Sequence, residues 1–400
     1  MATTHGPLEG LRVLDCATIL AAPLASQILG DFGADVIKIE HPERPDAMRG
    51  HGESVDGVGL WWTEVARNKR TLALDLRDAQ GADVFRRLVR TADVLVENFR
   101  PGTLERWGLG WDELHALNPR LIMLRVTGFG QEGPYASRPA FGTLIEAMSG
   151  FAHMTGQPDA PPTLPAFGLA DSIAGMAAVS AVLMALYHRD ANGGDGQMID
   201  LSLLEPILTA VGPAPSVYDK TGVVPVRQGN RSTNNAPRNL YRSRDGHWLA
   251  VSTSADSVAR RVLTLVGHAE VIDEPWFARG SSRAQHADLL DEYVGGWIAQ
   301  RDGDAVLEAF TDAGAAIAAV YSAKEIVDDP QVQSRDTLVR VAHPHLGDVL
   351  QHNVLFRLSE TPGGIRFAGR DHGQDTDDIL AELDIAAEDR DALRSRGVVR

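Results

Sequence analysis

Short apolar runs alternate with amphipathic ones along the first third of the chain. "LRVLD" (Leu11–Asp15), "DVIKIE" (Asp35–Glu40), "TLALDL" (Thr71–Leu76), "DVLVENF" (Asp93–Phe99) and "LIMLRVTGFG" (Leu121–Gly130) read as strands, rich in Val, Ile and Leu. Runs this apolar suit strands buried on both faces. Between them, "LASQILGDFG" (Leu24–Gly33) and "GADVFRRLVRTA" (Gly81–Ala92) read as helices. Strand–helix alternation predicts βαβ units and a mostly parallel sheet, an α/β fold. Ligands of such sheets bind beyond the carboxyl ends of the strands. Those ends carry Asp15 to Leu20, Glu40 with His41, Asp75 with Arg77, Asn98 to Arg100, and Thr127 to Gln131. The turn after the first strand, "CATILAAPLASQ", has no glycine, which disfavours a GxGxxG dinucleotide site.

The most apolar run lies in "GLADSIAGMAAVSAVLMALYH" (Gly168–His188). It is short for a membrane span, so a buried helix is expected, with Gly175, Ala177, Ala178 and Ala181 permitting close approach of neighbours. A single carboxylate, Asp171, stands at its mouth. By local sequence alone Asp171 reads as a helix N-cap. The pattern changes after Leu201. Residues 212–239, rich in Gly, Pro and Asn, read as a connector. A smaller α+β segment follows, with a strand at His247–Thr253 and helices at Ala255–Leu265, Ala284–Ile298 and Ala305–Ala313. "DTLVRVAHP" and "DVLQHNVLFRL" are strand-like, and Thr376–Leu383 is helical.

Charge and cysteine content narrow the classes. Against 38 Lys and Arg stand 54 Asp and Glu, a net charge of −16. Nucleic acid and anionic membranes are therefore disfavoured as partners. One cysteine, Cys16, permits no intrachain disulfide and argues against a cysteine-based zinc site. The N-terminus lacks a signal-peptide pattern, so a cytoplasmic location is expected. His343, His345 and His352 lie close in sequence, but no acidic or cysteine set converges with them, and no metal is expected.

Several stretches together carry a resemblance. They are "GLRVLD", "GDFGADVIKIEHPE", "RNKRTLALDLR", "ADVLVENFRPGTLERWGLGWDELHALNPRLI", "VTGFGQEGPY", "GLADSIAGM", "GDGQMIDLSLLE", "GNRS" and "SAKEIVDDPQVQSRD". In this order they resemble the class III coenzyme A transferases, the family that includes formyl-CoA transferase, carnitine-CoA transferase and the α-methylacyl-CoA racemases. The resemblance implies a Rossmann-like large domain built from both chain ends, 1–205 and 326–400. It also implies a 206–224 linker, a small α+β domain at 225–325, and an interlocked homodimer.

It further implies the chemistry. Asp171 matches the family's nucleophile, which attacks an acyl-CoA thioester to give an aspartyl anhydride and then an aspartyl-CoA thioester. A carboxylate at a helix N-terminus sees the positive end of the helix dipole and should stay ionised at neutral pH. CoA, the substrate, would lie against Leu20, Ala21, His41, Leu74, Asp75, Arg77, Asn98, Phe99, Arg100, Arg106, Arg138, Ala140 and Phe141. The arginines among them suit phosphate. Lys69 and Arg70 are weaker candidates, and "GNRS" (Gly229–Ser232) matches a mobile glycine loop. Cys16 reads as a core residue. Trp61, Trp62 and Trp107 read as core or dimer packing.

Two departures bear on the reaction. The racemase branch needs a histidine base where Phe141 and Gly142 stand, so racemase or epimerase activity is the alternative rather than the first reading. Where formyl-CoA transferases carry a glutamine and a glutamate, this chain has Leu20 and Gly142. That favours an acid larger or more apolar than oxalate. A non-catalytic acyl-CoA-binding relative is the third reading, and the presence of Asp171 argues against it.

Overall fold

The computed structural model describes residues 6–400. Six strands form one parallel sheet: β1 (Arg12–Asp15), β2 (Asp35–Glu40), β3 (Lys69–Ala73), β4 (Val94–Glu97), β5 (Ile122–Thr127) and β6 (Met198–Ser202). Their order is β3-β2-β1-β4-β5-β6. The direction of winding reverses between β1 and β4, which opens a crevice at the carboxyl ends of those two strands. β6 is absent from the expected strands. It is an edge strand whose residues are mostly exposed or half-buried, so it carries no continuous apolar run.

The other strands alternate sides residue by residue, as a period of two requires. Val13, Val36, Val94, Val96, Ile122 and Leu124 point to one face. Helices α1 (Ala21–Asp31) and α4 (Leu169–Ala191) cover that face. Leu14, Ile37, Leu72, Leu95 and Met123 point to the other. There α2 (Ala79–Val89) packs with the C-terminal helices Thr376–Glu382 and Ala387–Ser395. A short helix, α3 (Gly142–Met148), packs against α4.

Helix α4 is long and apolar enough to cross a membrane by length and composition alone. Its small residues press it against α1 instead: a Cβ on Gly175 would lie 2.7 Å from the Ala21 carbonyl oxygen. The expectation of a buried helix holds for one face only. Met176, Leu183, Met184 and Tyr187 are exposed on the other.

The chain divides into two compact units. One comprises the chain up to Phe151 with Leu164–Pro213 and Gln331–Arg400. The other comprises Ala152–Thr163 and Ala214–Pro330. The second has a three-stranded antiparallel sheet of Arg238–Arg242, Trp248–Ser252 and Ile317–Ala319. Helices Asp256–Leu265, Ala287–Ala299 and Gly303–Asp312 pack on it around Tyr241, Leu249, Phe277 and Phe310. The expected connector at 212–239 holds a helix, Ala214–Thr221, with no buried residue, so no apolar stripe marked it.

The turn after β1 does without glycine because buried ions hold it. Asp15 is fully buried and accepts hydrogen bonds from Ala17 N–H at 3.0 Å, Ser26 Oγ at 2.6 Å and Lys69 Nζ at 2.8 Å. Lys38, also buried, donates to Asp46 at 2.8 Å and to the Ala17 carbonyl. Asp46 in turn accepts the Ile19 N–H at 3.0 Å. Asn98 exchanges two hydrogen bonds with the Thr18 backbone, at 2.9 and 2.8 Å. The network holds Ile19 at φ +68°, a region hostile to a β-branched residue. Burial opposes ionisation of Asp15, yet Lys38 and Lys69 outweigh it and keep its carboxyl below the usual range.

Asp15→Asn leaves two buried ammonium groups short of their counter-charge. It should destabilise the fold by about 3 kcal/mol, read from urea unfolding. A loss under about 1 kcal/mol would show that the two lysines find other partners.

Candidate active site

Asp171 occupies the third position of α4, whose N-cap is Gly168. The N-cap reading is therefore corrected: the side chain caps nothing and is free for other use. Gly142 and Gly168 form a cradle for it. A Cβ on Gly142 would lie 2.4 Å from Asp171 Oδ2, and one on Gly168 would lie 3.3 Å from the same oxygen. The Gly168 position also touches Leu20, whose Cδ2 would be 2.9 Å from such a Cβ. Neither an ion pair nor a side-chain hydrogen bond engages the Asp171 carboxylate among the described residues. The charge that acts on it is Glu146 on α3, which is 1% exposed and accepts the Ala170 N–H at 3.1 Å.

Burial and the charge of Glu146 push the Asp171 carboxyl up to about 6. The helix dipole does not set the balance, contrary to expectation, because desolvation and a like charge outweigh it. At pH 7 the carboxylate form still predominates.

A cavity of about 480 Å³ opens beyond the carboxyl ends of β1 to β4. It brings together His41, Leu74, Asp75, Arg77, Phe99 and Arg100 of the expected CoA residues. A smaller cavity of about 140 Å³ shares Phe99 and Arg100 with it and adds Asn98, Arg138, Ala140 and Phe141. Phe141 leads directly into Gly142 and hence to Asp171.

Three expected contacts lie outside both. Ala21 is buried under α4, and its side chain faces the core. Arg106 is exposed and donates to Thr103 Oγ at 2.9 Å. Leu20 lines a separate cavity of about 430 Å³ with Leu24, Leu60, Trp61, Val65 and Ser172. The weaker candidates Lys69 and Arg70 are already engaged. Lys69 binds Asp15, and Arg70 binds Asp35 and Glu382.

Within the large cavity, side chains fix one another. Arg77 donates to Asp75 at 2.9 and 2.8 Å, and that contact holds the Asp75 carboxyl near 2. His41 Nδ1 accepts the backbone N–H groups of Glu43 and Arg44, and its Nε2 meets the Arg77 guanidinium. Burial, with Arg44 and Arg77 nearby, lowers its pKa, so the ring is neutral at pH 7. Phe99 donates its N–H to Glu97 at 2.7 Å, and Arg125 grips Glu97 from the other side.

Sequence reading missed several lining residues. Arg44 sits in the proline-bracketed loop "HPERPD" after β2 and adds a third guanidinium to Arg77 and Arg100. The position of that loop at a strand end was the available signal. Trp107, read as packing, meets Phe99 edge to face at 5.3 Å and walls the cavity. Cys16 is 2% exposed, yet it too lines the cavity; burial and Asp15 hold its thiol protonated. The arrangement offers cations for phosphates, an aromatic wall for a flat ring, and a carboxylate free to attack. Gly229 of the "GNRS" stretch lies in the smaller unit, where its N–H binds the Gly156 carbonyl at 2.9 Å.

Comparison with known proteins gives the class. The family model for CoA-transferase family III matches residues 8–376. Succinyl-CoA–D-citramalate CoA-transferase of Chloroflexus aurantiacus is 40% identical over 395 residues, with 98% of each chain covered. Succinate–glutarate CoA-transferase of Agrobacterium fabrum is 34% identical over 391 residues, covering 96% of this chain and 97% of its own. A CAIB/BAIF family protein from Brucella suis, solved by crystallography, matches with a TM-score of 0.82 and 31% identity over 95% of this chain and 100% of its own. This chain belongs to CoA-transferase family III, and its class of activity is CoA transfer.

Two expectations follow from the cradle. Gly142→Ala should displace the Asp171 carboxylate and lower kcat by about 100-fold, with circular dichroism unchanged, because a 1 Å shift of a reacting group is that costly. Asp171→Asn should stabilise the protein at pH 7. The folded pKa lies above the unfolded one, so native stability falls as pH rises from about 4 to about 6 and the penalty is full above that. For a half-buried group screened by solvent, the gain on substitution should be about 1 kcal/mol, vanishing below about pH 4 in thermal melts.

Proposed function

We propose that the protein moves coenzyme A from an acyl-CoA thioester to a free carboxylic acid through covalent chemistry on Asp171. The observation that carries this reading is the unpaired Asp171 carboxylate, held between two glycines and ionised at neutral pH. An Asp171 oxygen attacks the thioester carbonyl carbon, the C–S bond breaks, and CoA leaves as thiolate. The enzyme then holds a mixed anhydride. The thiolate attacks the Asp171 carboxyl carbon, and the donor acid leaves as carboxylate. The acceptor carboxylate attacks that same carbon and releases the thiolate, which takes the acyl group and restores Asp171.

The CoA phosphates and adenine would lie in the cavity of Arg44, Arg77, Arg100 and Trp107, with the pantetheine arm passing Phe141. Leu20, Leu24, Leu60 and Trp61 give the neighbouring cavity an apolar part, beside the polar Glu53, Glu64 and His352, and that part supports an acyl group larger or less polar than oxalate. The exposed face of α4, Met176, Met184 and Tyr187, fits burial against a second copy of the chain, in keeping with a homodimer.

Incubation with a panel of acyl-CoA thioesters, succinyl-CoA among them, followed by intact mass measurement, tests the reading. A CoA-mass adduct on the wild type, removed by hydroxylamine and absent in Asp171→Ala, is expected. CoA binding without any adduct would count against covalent transfer. Oxalate outcompeting branched or aromatic acids as acceptor would count against the substrate class.

A further inference from the structure

Residues Gly142 and Glu146 stand one turn apart on α3, on the same face. The missing side chain at 142 leaves room for the Asp171 carboxylate, while the side chain at 146 reaches the backbone just before it. Glu146 is 1% exposed, and no Lys, Arg or His forms an ion pair with it among the described residues. A buried carboxylate without a cation is costly, and a second carboxylate beside it compounds the cost.

We propose that Glu146 is a positioning residue for the transfer reaction: it anchors the first turn of α4 through Ala170 N–H, and its charge disfavours the free Asp171 carboxylate relative to the acylated one. This rests on Asp171 being the nucleophile. In each covalent state, anhydride or CoA thioester, Asp171 carries no charge, and the negative charge resides on the CoA sulfur or a departing carboxylate. Attack therefore relieves the repulsion with Glu146, and the enzyme is drawn toward its covalent intermediates. The helix N-terminus alone acts in the opposite direction, favouring the free anion.

Other charged groups on the elements around this turn are engaged elsewhere. Asp31 on α1 binds Arg67. Arg125 on β5 binds Glu97 and Glu105. Asp200 on β6 accepts the Gln131 N–H, and Glu205 on the following helix accepts from Ser202. Glu64 and His352, across the cavity that Ser172 lines, pair with each other at 2.9 Å, and Glu53 stands at the same cavity. Of all these, Glu146 is the charge that acts on Asp171.

The test compares wild type, Glu146→Gln and Glu146→Asp, with succinyl-CoA as probe. It reads adduct occupancy by mass across pH 4.5–8, alongside kcat and KM. The wild-type adduct should form with an acid midpoint near 6. In Glu146→Gln, which keeps an oxygen for Ala170 N–H, the midpoint should fall by up to about one unit. The equilibrium toward adduct at pH 7 should weaken by up to about tenfold. KM for the thioester should hold, since Glu146 lies outside the CoA cavity. Glu146→Asp, which keeps the charge, should keep the high midpoint.

An unchanged midpoint and occupancy in Glu146→Gln would overturn the inference. Should that variant not fold, Glu146→Met, close in size and without charge, takes its place: a midpoint below that of the wild type supports the proposal, and an unchanged one overturns it. Transfer without any adduct on the wild type would instead bring down the Asp171 reading itself, so the two failures are distinguishable.

Discussion

The buried charges around Asp15 are the constraint on which the site depends. A parallel sheet delivers its strand ends to one crevice, but the turn after β1 must then approach a ligand closely. Glycine is the usual means, because a backbone without Cβ bends where it must. Here Asp15, Lys38, Asp46, Lys69 and Asn98 hold the turn by charge and hydrogen bonds, down to the left-handed Ile19. Asp46 serves two ends: it fixes Ile19, and it lines the large cavity. Leu20, the next residue after Ile19, reaches the Gly168 side of the Asp171 cradle. One network thus sets the floor of the cavity at the strand ends and a wall of the Asp171 pocket. Such a network stabilises poorly for its size, since each buried ion carries a desolvation cost. What it supplies is a single shape.

Sequence legibility followed burial. The first five strands, buried on both faces, leave continuous apolar runs and were readable. β6 at the sheet edge and the wholly unburied helix Ala214–Thr221 leave no such trace. The same physics divides the site. Strand-end positions such as His41, Asp75 and Arg77 could be found once the parallel sheet was inferred. Arg44 had only the place of its loop at a strand end to mark it, and Trp107 had no signal, because it reaches the cavity from the end of a one-turn helix whose path no periodicity encodes. Arg106, one residue from Trp107, looked the better ligand by charge, yet it points to solvent. Asp171 was ambiguous for a sharper reason. A carboxylate before an apolar run is a common cap, and only the resemblance to a family turned that reading. In space the ambiguity disappears, since the residue sits three positions past the cap.

The electrostatics of Asp171 run against the simplest account of helix-terminal carboxylates. The dipole and the free N–H groups of a first turn favour the anion, and an enzyme that needed only an ionised aspartate could stop there. This chain adds burial and a second carboxylate, and both act the other way. A stable, well-solvated carboxylate is a poor nucleophile, because attack must give up the interactions that stabilise it. Raising the carboxyl to about 6 keeps the anion in the majority at neutral pH while leaving little to lose on acylation. For the proposed attack, a stronger shift would protonate Asp171 at neutral pH, and a weaker one would leave more stabilisation to give up on acylation. The Gly142 gap and the Glu146 side chain, one turn apart on the same short helix, place Asp171 between those limits.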